Sequence, residues 1–256
     1  MATPPSLIAW NRTGRVPALV LGALWLSLAT HVVFVVARPS WWIVPALLVG
    51  WFLADAASGI VHMVMDYQPC PPELGLDRLY FYQGSRESDH YQSLIRTVMR
   101  DVNPFQRVVF DFKTHHPRPD ALGRRTLWRQ IGSTVMVATL PLSLALNVLA
   151  LMTPLPGWAM AGAVALLLGG SFAQFFHGSL HRAHNPWPIT AMRRVGLLMT
   201  PQAHQKHHDT LKRDFSTNCG WSNPFLNPVF AFGYRRGWFR DEGLEPARAS
   251  PEVSAR

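Results

Sequence analysis

Eight of the eleven histidines fall into four groups whose internal spacing suits shared ligation. His62 stands four residues before Asp66, and His177 four before His181. His115 and His116 are adjacent, and His204, His207 and His208 follow an i, i+3, i+4 pattern. Side chains three or four apart share one face of a helix, so each group can aim its imidazoles at one ion, as paired histidines on a metalloprotease helix do. A mononuclear zinc centre takes three or four ligands, so eight imidazoles suggest two ions. Imidazole suits iron, copper and zinc alike, and spacing does not choose among them. Asp55, Ser58/Gly59, His62 and Asp66 form one stripe. Asp55 lies inside an apolar run, where a carboxylate costs ~2.5–3.5 kcal/mol on insertion scales and needs a partner. Its expected role is to accept a proton from a ligand imidazole and hold its tautomer. His31, His90 and His184 read as ordinary polar residues, at an interface, in solvent and beside the third group respectively.

These residues must be positioned by a chain with an uneven apolar pattern. Four stretches, about 17–37, 41–63, 131–153 and 158–176, are long and apolar enough to span a bilayer as helices. The links Arg38-Pro39-Ser40 and Pro154-Leu155-Pro156-Gly157 are short, and proline stops and restarts helices there. The predicted fold is all-α, an integral membrane protein with four transmembrane helices in two hairpins. The first helix reads as a retained anchor because its apolar run exceeds a signal-peptide core. Of the 24 Lys and Arg, all but Arg38 lie before helix 1, between helices 2 and 3, or after helix 4. The positive-inside rule therefore puts both termini, and a His-rich metal-binding cap, in the cytosol. The expected domains are a cytosolic N-terminal segment (1–16), a membrane domain (17–240) and a disordered tail (241–256). Trp41 and Trp42 read as interfacial belt residues, and the small residues near Gly162–Gly170 as helix packing.

Composition excludes other classes. An apolar content of 48% argues against disorder, and two cysteines rule out a disulfide scaffold. The net charge of +9 is explained by topology and anionic headgroups. There is no phosphate loop, nucleophile elbow or nucleic-acid motif, so no nucleic-acid partner is expected.

The segments ADxxSGxxHxxxD (Ala54 to Asp66), FKTHHPRPDAL, QFFHGSLH and HQKHHDTLKRDFSTNCGWSN occur in that order over roughly residues 45 to 230. In these the chain resembles the lipid desaturase family, whose branches include Kua-type plasmanylethanolamine desaturases and the plant chloroplast palmitate desaturase. Arg124-Arg125, and Gly196-Leu-Leu-Met before HQKHH, are closer to the plant branch. The resemblance implies a di-iron site held by His62, His115, His116, His177, His181, His204, His207 and His208. Asp55 and Asp66 match family carboxylates, and Asn223 closes a matching GW-x-N segment. It implies O2-dependent desaturation of a phospholipid-linked acyl or alkyl chain. An unactivated methylene offers no acidic proton or carbonyl, so such a reaction needs a metal-based oxidant. With no haem or flavin domain present, electrons are expected from a ferredoxin- or cytochrome b5-type carrier. The alternatives are a di-iron lipid hydroxylase, a membrane zinc hydrolase, and a membrane protein with a purely structural metal site.

Overall fold

The computed structural model describes residues 15–248, and all its regular elements are helical. Four helices are long and apolar enough to cross a membrane. They are α1 (Arg15–Ala37), α2 (Ile43–Tyr67), a third span over Leu127–Met152, and α9 (Gly157–Leu180). Each reaches one to four residues beyond the expected bounds at one end or the other. α2 and α9 each run four residues further at the C-terminal end, which carries Asp66 onto a helical turn and His181 against one. The third span is compound: α7 (Leu127–Thr134), a π-helical stretch (Val135–Thr139), then α8 (Leu140–Met152). Pro141 explains the break. It lacks an N–H and its ring crowds the carbonyl of Val137, so the hydrogen-bond ladder is re-spaced just before it.

The link segments are short, but the main packing is not between chain neighbours. α9 is central, packing most extensively on α2 and also on α1 and α7. Small residues permit the α2–α9 approach: a Cβ on Gly50 would meet the Gly162 carbonyl, and one on Gly169 would meet Ala54. The outward faces of the spans carry exposed Leu19, Leu26, Val36, Val137 and Leu151, as lipid-facing surfaces do. Between α1 and α8, buried His31 bonds Ser143 Oγ at 3.0 Å. Ser27 Oγ lies 2.7 Å from Ser143 Oγ and accepts from Asn147 at 2.7 Å, a polar clasp of the kind that joins membrane helices.

Between the second and third spans lie α3 (Leu76–Tyr80), α4 (Asp89–Val98), α5 (Pro104–His115) and α6 (Pro119–Gly123). Leu76, Leu79, Tyr91, Val98, Val109 and Phe110 give this segment its own apolar core. α5 starts with a capping box, Asn103 and Gln106 each bonding the other's backbone N–H. After α9 come α10 (Trp187–Arg194), α11 (Pro201–Thr210) and α12 (Asn223–Arg235). Thr200 caps α11, and Leu211 ends it in the left-handed conformation.

The residues from 241 do not match the expectation of a disordered tail as far as 248. Residues 241–243 form a short helical turn, Leu244 packs on Tyr67, Phe215 and Phe230, and Ala247 N–H bonds the Cys70 carbonyl at 3.0 Å. The buried Lys113 ammonium donates to the Gly243 carbonyl and, at 2.8 Å, to the Asp66 carbonyl at the end of α2. A buried cation requires such acceptors, and the 241–248 segment supplies one. The expected N-terminal segment to residue 14 and the tail beyond 248 lie outside the described residues.

Candidate metal centre

Four helix ends meet at one point. α2 contributes His62 and Asp66, and α5 contributes His115 and the capping His116. α9 contributes His177 and the capping His181, and α11 contributes His204, His207 and His208. All eight predicted imidazoles and the Asp66 carboxylate converge there. His115, His177, His181, His204 and His208 each place a donor atom within 4.8 Å of all the others, and so do His62, Asp66, His115 and His116. His207 joins the second group. The Nε2 atoms of His62, His116 and His207 lie 3.3, 3.4 and 3.3 Å from Asp66 Oδ2. In the first group, His204 Nε2 is 3.1 Å from both His177 Nε2 and His208 Nε2.

These separations are those of atoms that could share an ion. Ligands ~2.0–2.1 Å from a shared ion lie about 3.0–3.4 Å from one another. Both Asp66 oxygens and the Nε2 atoms of His62, His115 and His181 are buried and lack a hydrogen-bond partner among the described residues. Leaving so many buried polar atoms unpaired would cost about 1–3 kcal/mol each. Bound metal would satisfy them together. The donor set is nitrogen-rich with one carboxylate and no thiolate, which suits iron as well as zinc or copper.

The tautomers are held by the backbone. His62 Nδ1 donates to the Phe215 carbonyl at 2.8 Å and His207 Nδ1 to the Arg213 carbonyl at 2.9 Å. His115 Nδ1 donates to the Phe112 carbonyl. With Nδ1 protonated, each Nε2 presents its lone pair to the cluster. Two of those three carbonyls belong to the loop between α11 and α12, which is itself tied down. Asp214, at φ 59°, is clasped by Asn227, and Asn223 Oδ1 accepts from Ser216 N–H at 2.9 Å.

Asp55 corrects one expectation. Its carboxylate touches no imidazole. It accepts from the N–H groups of Cys219, Gly220 and Ser222 at 2.8–2.9 Å and from Ser222 Oγ at 2.7 Å. It therefore anchors the loop whose Phe215 carbonyl orients His62, one step further from the cluster than its stripe suggested. Of the remaining histidines, His90 is exposed and bonded to Tyr82 Oη at 2.9 Å, and His184 is exposed and apart from the cluster.

Burial, reinforced by neighbouring imidazoles, holds His115 and His204 well below the usual imidazole range. It pushes His181 down to about 4 and His208 to about 3. These groups are neutral near pH 7, the form that binds metal. Burial also brings the Lys113 ammonium down to about 8, where three carbonyls still hold it.

An apolar cavity of about 350 Å³ runs from the cluster into the membrane-spanning region. His62, His177 and Phe112 form its inner end, and Ala54, Gly170 and Leu142 line its length. The π-helical stretch contributes Ala138 and Thr139 to its wall.

The histidine cluster sits at the end of an apolar cavity, and comparison with known proteins bears on its role. Residues 102–234, just over half of the chain, match the lipid desaturase domain. The chain belongs to the lipid desaturase family. It is also similar to the plasmanylethanolamine desaturase of Myxococcus xanthus, at 24% identity over 200 residues. That alignment covers 75% of this chain and 59% of the relative, so the chain spans about three-fifths of the length of the relative. No solved structure matches. The matched span of this lipid desaturase family member contains seven of the eight clustered histidines. His62 and Asp66, on α2, lie outside it and join the cluster through the fold.

Proposed function

We propose that this protein is a membrane-bound di-iron desaturase that introduces a double bond into a phospholipid-linked acyl or alkyl chain. The observation that carries the reading is the adjacency of eight convergent imidazoles and Asp66 to a dry apolar slot. In this reading His115, His177, His181, His204 and His208 hold one ion, and His62, Asp66, His116 and His207 the other. Iron in that donor set would supply the oxidising power to remove two hydrogens from adjacent methylenes, O2 being reduced to two waters with two carrier-derived electrons and two protons.

The chain's own residues do the rest. The slot takes an aliphatic chain out of the bilayer and brings two of its carbons against His62 and His177. Phe112 and the small residues of α2 and α9 exclude water, which keeps the oxidation from being wasted. The carbonyls of Phe112, Arg213 and Phe215 keep the ligands in register. The spans form two topological hairpins, with both termini and the metal centre in the cytosol, a sidedness supported by the placement of all but one of the basic residues. A ferredoxin- or cytochrome b5-type carrier then reaches the centre from the cytosolic side.

The test is a lipid comparison of cells with and without the protein, paired with metal analysis of the purified chain. A new double bond in a phospholipid pool and about two irons per chain are expected. A hydroxylated chain would redirect the reading to a hydroxylase. Zinc with an unchanged lipid pool would overturn the oxidative reading.

A further inference from the structure

A second, smaller cavity of about 150 Å³ adjoins the apolar slot, sharing Val61, Phe112, Thr134, Gln174 and His177 with it. The rest of its wall mixes Val108 and Leu122 with His115, Asp111, Arg125, Arg129, Gln130 and Ser133. The charges there do not cancel. Arg125 donates to both Asp111 oxygens, at 2.8 and 2.7 Å, so that pair is neutral and closed. The Gln130 amide donates to the Leu122 carbonyl at 2.8 Å and accepts from Arg182 at 3.3 Å. Arg129 has no ion pair or hydrogen bond among the described residues. It also stands in the first turn of α7, where the helix dipole disfavours a cation. Its side chain is exposed and lines the cavity, so its guanidinium donors are open to a ligand.

We propose that this cavity receives the phosphate of the lipid whose chain fills the slot. Arg129 is the cation that meets the phosphate, while Arg125, closed on Asp111, adds no net charge beside it. The volume, room for about five waters, admits a phosphate group. The shared wall means one molecule can occupy both cavities, which selects an amphiphile with its anionic group next to its chain. Guanidinium suits such an anion because its donors are held in a planar fork. The inference rests on the desaturase reading only for the claim that the slot holds a lipid chain.

The test uses the purified full chain in detergent, with native mass spectrometry reading lipid retention. Phosphatidylglycerol and phosphatidylethanolamine are titrated beside diacylglycerol of the same chains, for wild type, Arg129→Gln and Arg129→Lys. Wild type should hold the phospholipids at least about tenfold more tightly than the diacylglycerol. Arg129→Gln should lose that preference with diacylglycerol binding and bound metal unchanged, and Arg129→Lys should restore part of it. Equal phospholipid binding by wild type and Arg129→Gln would overturn the assignment, and so would a parallel loss of diacylglycerol. Displacement of phospholipid by equimolar inorganic phosphate would make this a free-phosphate site and overturn the lipid source. Arg129-dependent binding without double-bond formation in cells would leave this inference standing and remove the desaturase reading. Double-bond formation with no Arg129 dependence of binding would remove this inference alone.

Discussion

Three of the clustered imidazoles are aimed by carbonyl oxygens, and that separates what could be read in the sequence from what could not. Histidine is a rare residue with a distinct chemistry, so His177/His181 and His204/His207/His208 announce themselves by type and spacing. The Phe112, Arg213 and Phe215 carbonyls have no such signature, because every residue has one and only the fold decides where it points. Asp55 is the intermediate case. A carboxylate in an apolar helix plainly needs donors, but those donors are backbone N–H groups at 219–222, more than 160 residues away. Two outcomes follow at this scale. On the proposed two-ion reading, Asp66→Ala should reduce bound metal from about two ions per chain to about one, measured by mass spectrometry of the purified protein. The group around His204 should keep its ion. Asp55→Asn keeps an acceptor but loses the charge and sets an amide N–H against a loop donor. It should lower stability by about 2 kcal/mol or more in thermal unfolding while metal content stays near wild type at low temperature.

At the scale of elements, the spans were legible because a bilayer demands long uncharged runs, and the π-helical stretch was not. Pro141 could be seen in the sequence, but a proline in a helix can kink, break or widen it, and only the neighbouring elements select which. Here the widened turn places Ala138 and Thr139 in the slot wall, and Thr139 Oγ1 accepts from Ser171 Oγ of α9 at 2.9 Å. Pro141→Ala should let the stretch relax toward α-helix and rotate that wall, changing which chain lengths are desaturated. A lipid product profile from cells expressing the variant measures this, with metal content unchanged. Gly170→Leu should fill the slot itself and cut desaturation of long chains at least tenfold in the same assay, again with the metals in place.

For the whole molecule, the ordered 241–248 segment was hidden because its composition is that of a tail. Its reason for order lies elsewhere, in a buried lysine on α5 that needs one more carbonyl. Truncation after Arg240 should therefore lower the unfolding temperature although it removes no ligand. Chelation should lower it further, since an ion at 100 times its Kd stabilises the folded form by about 2.7 kcal/mol, and adding iron back should reverse the loss. The order in which the ligands occur along the chain carries a last consequence. His62 leaves the ribosome 153 positions ahead of Phe215, whose carbonyl orients it. At roughly 5–20 residues per second that interval is about 8–30 s. All four spans have been synthesised before His204, His207 and His208 exist, so the proposed ligand sets cannot be complete during insertion. In the proposed topology the early imidazoles meanwhile meet whatever divalent metal the cytosol offers. Because imidazole discriminates poorly among iron, zinc and copper, the proposed centre should take the ion that cellular supply favours at the moment of assembly. A chain overproduced in iron-poor medium should accumulate folded, zinc-loaded and inactive, and growth with added iron should shift that ratio.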